Sequence, residues 1–263
     1  MLTISSVVQT AIGAMGVLAV MAVAVGGLLL FRRLVSLEVL LSQHDITGAK
    51  FQVMGTIYAV LLAFVVITVW QQYSDLSTTV ETEAAKLLDL YRDADEYPDP
   101  TRSILRAQVR AYTETVINQE WDTMSRGHAS KNAQAEFDKL WKVYRQLPVD
   151  DLRQMAAQTE TLRRMNELSE SRQLRLLGAR SQIPPILWIA LVLGGIGTVG
   201  FSYFFGARSI GLQAVMIAIF TGAISLFFYV ITALDTPFSG TGYISPAPFQ
   251  RVLHIISRHV DPA

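Results

Sequence analysis

The chain has 263 residues, and its 22 basic and 22 acidic side chains leave a formal net charge of zero. This balance gives no electrostatic reason to expect binding to nucleic acid. Cysteine is absent, which excludes disulfides, thiolate catalysis and metal sites built on cysteine.

Four long stretches of the sequence contain no Asp, Glu, Lys or Arg: residues 1–31, 51–74, 181–207 and 209–234. Each is longer than the roughly 20 apolar residues that an α-helix needs to cross a bilayer. We therefore predict a multi-pass membrane protein with spans at about 7–31, 51–73, 184–206 and 210–234. No positive charge precedes the first apolar run, so we expect a retained span there and not a signal peptide.

The segment between the first two spans carries leucines at helical spacing, which favours a stretch along the membrane interface. These are Leu34, Leu37, Leu40 and Leu41. Gly48 suits a turn before the second span, and that span ends near Trp70 and Tyr73, aromatic residues typical of the membrane–water interface. No Gly or Pro occurs between Gly55 and Pro98, so we predict one continuous helix of about 42 residues, about 60 Å long.

Nearly all of the charge lies between Asp75 and Arg180, which predicts a polar domain between two membrane hairpins. Its apolar residues recur at helical spacing, and no segment alternates with period two. Glu81 and Glu83 are interpreted as part of a solvated helix face. The predicted fold class is all-α: four transmembrane helices, with a helical-bundle soluble domain inserted between helices two and three. The predicted divisions are a hairpin at 1–74, the soluble domain at 75–182, a second hairpin at 183–234 and a C-terminal tail at 235–263.

Turn and cap signals divide the polar domain into several helices. Asp99-Pro100 and Asp150-Asp151 are expected to begin helices, and Gly127 to follow the end of one. A shorter helix is predicted at about 132–146. Pro184-Pro185 should break the last helix where the chain enters the membrane again.

The spans offer neutral polar groups but no ionisable ones, which bears on the kind of transport. Ion-coupled carriers usually place a carboxylate or histidine near the midplane, whereas neutral groups and apolar constrictions suit a passive pore. On helix two, one face at four-residue spacing supplies the pore-lining candidates: Gln52, Thr56, Val60 and Phe64. The alternative is that the polar groups of the spans bond within or between packed helices.

Rows of small residues at every fourth position also occur in the spans, and such rows let helices approach closely. The row on helix two is Gly55, Ala59 and Ala63. Packing within the chain and contacts between copies both remain open. The four histidines have no partner at metal-ligand spacing, so we expect no metal site and no cofactor, and no motif indicates an enzyme.

Several segments resemble the bacterial bestrophin-like membrane family over nearly the whole chain. They are Phe51–Ser74 with Glu81-Thr82-Glu83-Ala84, and further along Tyr112, Glu120-Trp121, Ile183-Pro184, Leu187-Trp188 and Pro237-Phe238-Ser239-Gly240. A more distant resemblance to the bestrophins themselves rests on Trp70-Gln71-Gln72-Tyr73 after the second span and on Asp235–Gly240 after the fourth. Trp70, Tyr73, Pro237 and Phe238 are therefore motif residues of unknown role.

Bestrophins are pentameric anion channels with a cytosolic helical domain and an apolar neck on helix two, so the resemblance implies these properties here. When the bestrophin motif is aligned on Trp70, the residues of the neck correspond to Gln52, Thr56 and Val60. Two of these three residues are polar. The acidic run that helps to bind calcium in animal bestrophins is replaced by Thr241–Ser245, so no calcium site of that kind is expected.

The basic residues that flank the spans do not decide the orientation. On one side they are Arg32, Arg33, Lys50 and Arg208, and on the other Lys86, Arg92, Arg172, Arg175, Arg180 and Arg251. The resemblance favours a cytoplasmic soluble domain in a bacterial inner membrane. The first hypothesis is an oligomeric, passive, anion-selective channel, a pentamer if the resemblance holds. The alternative is a membrane-anchored sensor or scaffold whose helical domain binds a ligand or partner.

Overall fold

The computed structural model describes residues 4–42, 44–147, 152–180 and 182–260. Within these ranges the chain is all-α, as predicted, and no β-strand occurs in them. The α-helices, in chain order, are α1 (Ile4–Leu34), α2 (Leu37–Ser42), α3 (His44–Asp93), α4 (Thr101–Thr115), α5 (Trp121–Met124), α6 (Lys131–Arg145), α7 (Leu152–Gly178), α8 (Pro185–Ser202), α9 (Ile210–Asp235) and α10 (Ala247–Val260). A short 3₁₀ helix (Ala94–Glu96) follows α3, and a π-helical turn (Val116–Glu120) joins α4 to α5.

The chain divides into two compact units, each made from two separate stretches of sequence. The membrane unit comprises residues 1–71 and 182–235, and the helical unit comprises residues 72–181 and 236–263. Helix α3 contributes to both units. The three boundaries between the four divisions predicted from the sequence remain predictions.

Four helices of the described residues are long and apolar enough to cross a membrane, which confirms the predicted number of spans. They are α1, α3, α8 and α9. Helix α1 packs against α9 through Leu28 and Ile217, and α3 packs against α8 and α9 through residues such as Leu62. Their outer surfaces remain apolar and exposed in the single chain, as expected for helices that meet lipid.

The connection before α3 differs from the prediction. Gly48 lies inside α3, which begins at His44, so the predicted turn at Gly48 is wrong. A Cβ at this glycine would lie 4.0 Å from the Phe205 ring, so the position permits close packing but does not break the helix. Leu40 of the predicted interfacial stripe is buried, at 2% exposure.

The helical unit has one continuous apolar core, to which α3, α4, α6 and α7 contribute. Gly127 follows α5 with a φ of +73°, a left-handed conformation that glycine adopts without steric cost. Helix α4 begins at Thr101, one residue later than Asp99-Pro100 suggested. The predicted cap Asp150-Asp151 lies outside the described residues.

The C-terminal tail contains an element that the sequence analysis did not predict. Helix α10 buries Phe249, Val252 and Ile256 in the core of the helical unit. Its outer face carries Gln250, Arg251, His254 and Ser257, all exposed. The spacing of the buried residues is that of an amphipathic helix, so the helix could have been predicted from this pattern.

Candidate functional site

The four pore-lining candidates lie on one exposed face of α3 in the membrane unit. Gln52, Thr56, Val60 and Phe64 follow one another at four-residue intervals and so share one side of the helix. Val60 is 50% exposed and Phe64 66% exposed in the single chain, and Gln52 and Thr56 are also exposed. The Thr56 hydroxyl donates to the Gln52 carbonyl at 2.8 Å. Its oxygen lone pairs are therefore what this side chain can offer to another group.

The opposite face of α3 is buried, which fixes the rotation of the helix in the membrane unit. Leu62, Val65 and Val69 are between 1% and 7% exposed, and they pack with Leu191 of α8. The Tyr58 hydroxyl also donates to the Leu191 carbonyl at 3.3 Å. A rotation that exposed this apolar face would remove these contacts, so the candidate face is held outward.

The small-residue row of α3 lies beside the candidate face and is left uncovered in the single chain. Ala59 and Ala63 are exposed, and a Cβ at Gly55 would meet no atom within 4 Å. Gly194, a small residue on α8, differs, because it lies against the ring of Tyr58, where a Cβ would come within 2.7 Å. The α8 glycine is thus explained by packing within the chain, and the α3 row is not.

Other polar groups of the spans form hydrogen bonds within the membrane unit. The Thr68 and Thr232 hydroxyls each donate to the carbonyl four residues earlier, at 2.8 Å. The Gln213 side-chain amide is buried and donates to the Phe205 carbonyl at 2.6 Å. For these three residues, hydrogen bonding within the membrane unit is the role that the structure supplies.

The four motif residues of unknown role occupy different environments. Trp70 is 58% exposed on α3, whereas Tyr73 packs partly buried against the core of the helical unit. The Pro237 carbonyl accepts a hydrogen bond from the Ile244 backbone N–H at 2.7 Å. Phe238 is 4% exposed, and its ring meets the ring of Trp121 edge-on, with centroids 5.6 Å apart. Pro237 and Phe238 therefore help to shape the loop before α10.

A buried charge cluster lies in the helical unit, and we define it as Glu83, Glu120, Arg172 and Arg175. The Arg175 guanidinium donates to both carboxylate oxygens of Glu83, at 2.6 and 2.9 Å, and to Glu120 at 2.7 Å. Arg172 donates to the other Glu120 oxygen at 2.8 Å. Arg175, Glu83 and Glu120 have fully buried side chains. Two positive and two negative charges balance, as burial of charge requires.

The electrostatics of the cluster follow from burial and pairing together. Burial alone would lower the pKa of Arg175, but the carboxylates of Glu83 and Glu120 outweigh it and raise that pKa above its ordinary value. Burial raises the pKa of Tyr112 well above its usual range, so this hydroxyl stays protonated and donates to Glu83 at 3.2 Å. Arg175 is therefore held as a cation and Tyr112 as a protonated hydrogen-bond donor within the cluster.

The predicted solvated position of Glu83 left no place for this cluster in the sequence-based interpretation. Glu81 is exposed as expected and pairs with Arg251, but the interpretation of Glu83 is wrong. Glu83 follows Val80 by three positions and precedes Leu87 by four, so it lies on the apolar face of α3. A carboxylate on that face was the available signal, since it needs a buried cation.

The π-helical turn and the C-terminal segment complete the surroundings of the cluster. The Trp121 backbone N–H donates to the Val116 carbonyl, five residues earlier, which defines the π turn just before Trp121. The Trp121 indole N–H donates to the Ile244 carbonyl at 2.9 Å. The Trp121 and Phe249 rings lie 5.4 and 5.6 Å from the Arg175 guanidinium, close enough for cation–π attraction.

No group of three or more His, Asp or Glu side chains in the described part of the chain could hold a metal ion. Comparison with curated proteins gives no match. Comparison with solved structures gives two crystal structures of mutated forms of a bacterial bestrophin homologue from Klebsiella pneumoniae. Both are 13% identical, with TM-scores of 0.63 and 0.58, and the alignments cover 93% and 95% of this chain and 97% and 99% of the other.

A further crystal structure, of a membrane protein, is also 13% identical, with a TM-score of 0.62 over 93% of this chain and 97% of the other. At such low identity these likenesses show a shared fold. The family assignment rests on sequence, because the model of the bestrophin-like domain matches residues 18–249. The chain therefore belongs to the bestrophin-like family.

Proposed function

We propose that this protein is a passive ion channel in which several copies surround an axis lined by the candidate face of α3. The observation that carries the proposal is that Gln52, Thr56, Val60 and Phe64 form one exposed face while the opposite face of the same helix is buried. Neutral polar groups followed by apolar ones suit a pore in which an ion is partly desolvated and then meets an apolar constriction. Family membership supports the same conclusion.

The uncovered row of Gly55, Ala59 and Ala63 supports a homo-oligomer. Small residues at every fourth position allow helix backbones to approach closely in a bilayer, and this row flanks the candidate face. A neighbouring copy seated on it would leave the candidate face directed at the axis. The family resemblance favours five copies.

A small anion is the proposed permeant ion, and because the Thr56 hydroxyl already donates within α3, the attraction for an anion comes from charges outside the candidate face. One end of the membrane unit carries exposed basic residues at Arg33, Lys50 and Arg208, which would raise the local concentration of anions. The amino-terminal end of α3 adds the positive end of the helix dipole. We further propose that the protein resides in a bacterial inner membrane with the helical unit in the cytoplasm, as the resemblance implies.

The test is ion flux from proteoliposomes with the full chain, comparing Thr56→Phe and Val60→Phe with Ile219→Phe. Ile219 lies on α9 and is 67% exposed, so the control adds a ring to an outward position of another span. We expect both α3 variants to reduce chloride flux at least tenfold and the control to leave it unchanged. Absence of flux from the reconstituted wild-type oligomer would refute the channel. Chloride flux through both α3 variants equal to that of the wild-type protein would refute the assignment of the pore face.

The alternative, a membrane-anchored sensor or scaffold, is favoured by the buried charge cluster. Glu83 of this cluster and Thr56 of the candidate face are both on α3, so a partner that disturbs the helical unit acts on a helix that also enters the membrane unit. If the wild-type protein conducts no ions but its helical unit captures a defined ligand, this alternative replaces the channel.

A further inference from the structure

A cavity in the helical unit lies between α6 and α7. Phe137 of α6 contributes one wall, and α7 with the turn that follows it contributes the other, from Ser169 to Arg180. The cavity volume is about 380 Å³, within the range of roughly 300–1,000 Å³ that is typical of ligand sites. Phe137 is 6% exposed, whereas Leu177 is 55% exposed, so the cavity opens to the outside of the single chain.

The lining of the cavity combines apolar side chains with cations. Phe137, Leu176 and Leu177 are its apolar residues, and Arg172 and Arg180 are its cations. None of the described residues that line the cavity is acidic. A cavity with positive and apolar walls, and with no carboxylate of its own, is complementary to an anion that carries an apolar group.

Arg172 is the buried cation of the lining, and its side chain is 7% exposed. Its Nη1 and Nη2 groups donate to Gln134 at 2.7 Å and to Glu120 at 2.8 Å. Its guanidinium carbon lies 5.0 Å from the centroid of the Phe137 ring. The Nε–H has no acceptor in the described residues, which leaves this buried guanidinium incompletely hydrogen-bonded. Arg172 therefore adds positive charge to the wall, while its Nη donors are already used.

Arg180 is the free cation of the lining. Its side chain is exposed and forms no ion pair or hydrogen bond with any described residue. Its backbone N–H donates to the Leu177 carbonyl at 3.0 Å, which closes the turn after α7. Gln173, two helical turns earlier, also lines the cavity and is exposed. A guanidinium presents its donors in a planar fork that matches a carboxylate, so Arg180 is the group that an anion would meet.

We propose that this cavity binds a small organic anion, with its carboxylate at Arg180 and its apolar group against Phe137 and Leu176. Two parallel hydrogen bonds from a guanidinium to a carboxylate are the strong and geometrically specific form of this contact. A sensor function would thereby have a defined class of ligand. The cavity lies entirely in the helical unit, so binding there is independent of whether the protein conducts ions.

The test uses 4-fluorobenzoate, whose binding to the full-length protein in detergent is measured by fluorine NMR with empty micelles as the reference. The neutral isostere 4-fluorobenzamide reports the contribution of the charge, and acetate, measured by competition, reports that of the ring. A hydrogen bond to a charged group contributes about tenfold or more, so the wild-type protein should bind 4-fluorobenzoate about tenfold more tightly than 4-fluorobenzamide. Acetate should bind at least about tenfold more weakly than 4-fluorobenzoate, because it buries no apolar ring.

Arg180→Gln should remove the preference for the charged probe. The matched control is Arg92→Gln, which should preserve that preference. Arg92 is also exposed and has no ion pair with a described residue, but it does not line the cavity. Both variants remove one exposed positive charge from the helical unit, so a difference between them reports the local role of Arg180.

A carboxylate placed in the cavity provides a second, independent variant. Leu177→Glu introduces it three residues before Arg180, a spacing at which side chains pair on a helix, so it competes with the ligand. Binding of 4-fluorobenzoate should fall at least about tenfold. Leu174→Glu is the matched control, because Leu174 is 50% exposed on the same helix and does not line the cavity. Thermal unfolding checks that each variant is folded.

Three results would overturn the proposal: no preference of the wild-type protein for 4-fluorobenzoate over 4-fluorobenzamide, an unchanged preference in Arg180→Gln, or unchanged affinity in a folded Leu177→Glu protein. A loss in either control as large as in its paired variant would also overturn it, since the effect would then not come from the cavity. Acetate bound as tightly as 4-fluorobenzoate would refute the role of the apolar wall and leave a simple anion contact at Arg180.

Discussion

The charge cluster of the helical unit provides a quantitative prediction. Glu83→Gln keeps the size of the side chain but removes one of the two negative charges, so Arg172 and Arg175 share a single carboxylate. The Arg175 and Glu83 side chains are fully buried, and removing one partner of a buried ion pair typically costs about 3–5 kcal/mol. Arg175→Met should cost a similar amount for the opposite reason, because it leaves a net negative charge.

The double variant separates a charge effect from a packing effect. Glu83→Gln combined with Arg175→Met removes one charge of each sign and leaves the Glu120–Arg172 pair, at 2.8 Å, in place. The buried cluster is then neutral again, so the double variant should be more stable than the sum of the single effects by at least about 2 kcal/mol.

The predicted losses of stability in the single variants and the recovery in the double variant can be tested by hydrogen exchange of the full-length protein in detergent. Exchange is measured by mass spectrometry on peptides from α7. If opening of the helical unit costs about 3–5 kcal/mol less, exchange should be about 140- to 3,700-fold faster, since about 1.4 kcal/mol is a factor of ten. Glu81→Gln is the matched control: Glu81 is two residues away and pairs with Arg251 at the surface, so it should change exchange less than about threefold. Strict additivity of the two single effects, or an equal effect of Glu81→Gln, would refute the reasoning.

Three further predictions concern assembly, acid stability and the C-terminal helix. Ala59→Trp should dissociate the oligomer measured by native mass spectrometry, because it fills the uncovered row on α3, whereas Ile219→Trp should not; an intact Ala59→Trp oligomer would contradict the assigned contact. Hydrogen bonds from Arg163 and Arg164 lower the pKa of Glu160 to about 2, so its contribution to stability is present above the unfolded value of 4.5 and is lost as the pH falls towards 2. Thermal unfolding of Glu160→Gln should therefore depend less on pH between 4.5 and 2 than that of the wild-type protein, and identical pH profiles would contradict this. Trp121→Phe keeps an aromatic ring but removes the hydrogen bond to the buried Ile244 carbonyl, which should cost about 1–3 kcal/mol and speed hydrogen exchange in residues 241–250; Trp141→Phe, whose indole bonds Ser169, should leave that segment unchanged.

The spans and the long second helix could be predicted because apolar length and the absence of Gly and Pro determine them locally. The predicted turn at Gly48 does not form, because a single glycine in a long helix costs only about 1 kcal/mol, which packing against Phe205 and the rest of the membrane unit offsets. Helix α10 is predictable from the spacing of Phe249, Val252 and Ile256, which is that of an amphipathic helix.

Only part of the candidate site could be predicted. The face of Gln52, Thr56 and Val60 follows from helical periodicity, and its exposure in the single chain could not be known before the packing of Leu62 and Val65 was seen. The cluster of Glu83 with Arg175 joins residues 92 positions apart, and the sequence alone indicates such a pairing only by placing a charge on an apolar helix face. The π turn at Val116–Glu120 had no recognised signal.

That π turn has a consequence for how the sequence can change during evolution. A π turn accommodates one residue more than an α turn would, and Trp121 is the first residue after it. Deletion of one residue from this segment would restore α-helical geometry and turn everything beyond it by about 100° relative to α4. Glu120 and Trp121 could then no longer face Arg175 and Ile244 together. We expect relatives that keep this Glu-Trp pair to tolerate substitutions at 116–119 far better than insertions or deletions there, so that the length of this segment is under stronger selection than its composition.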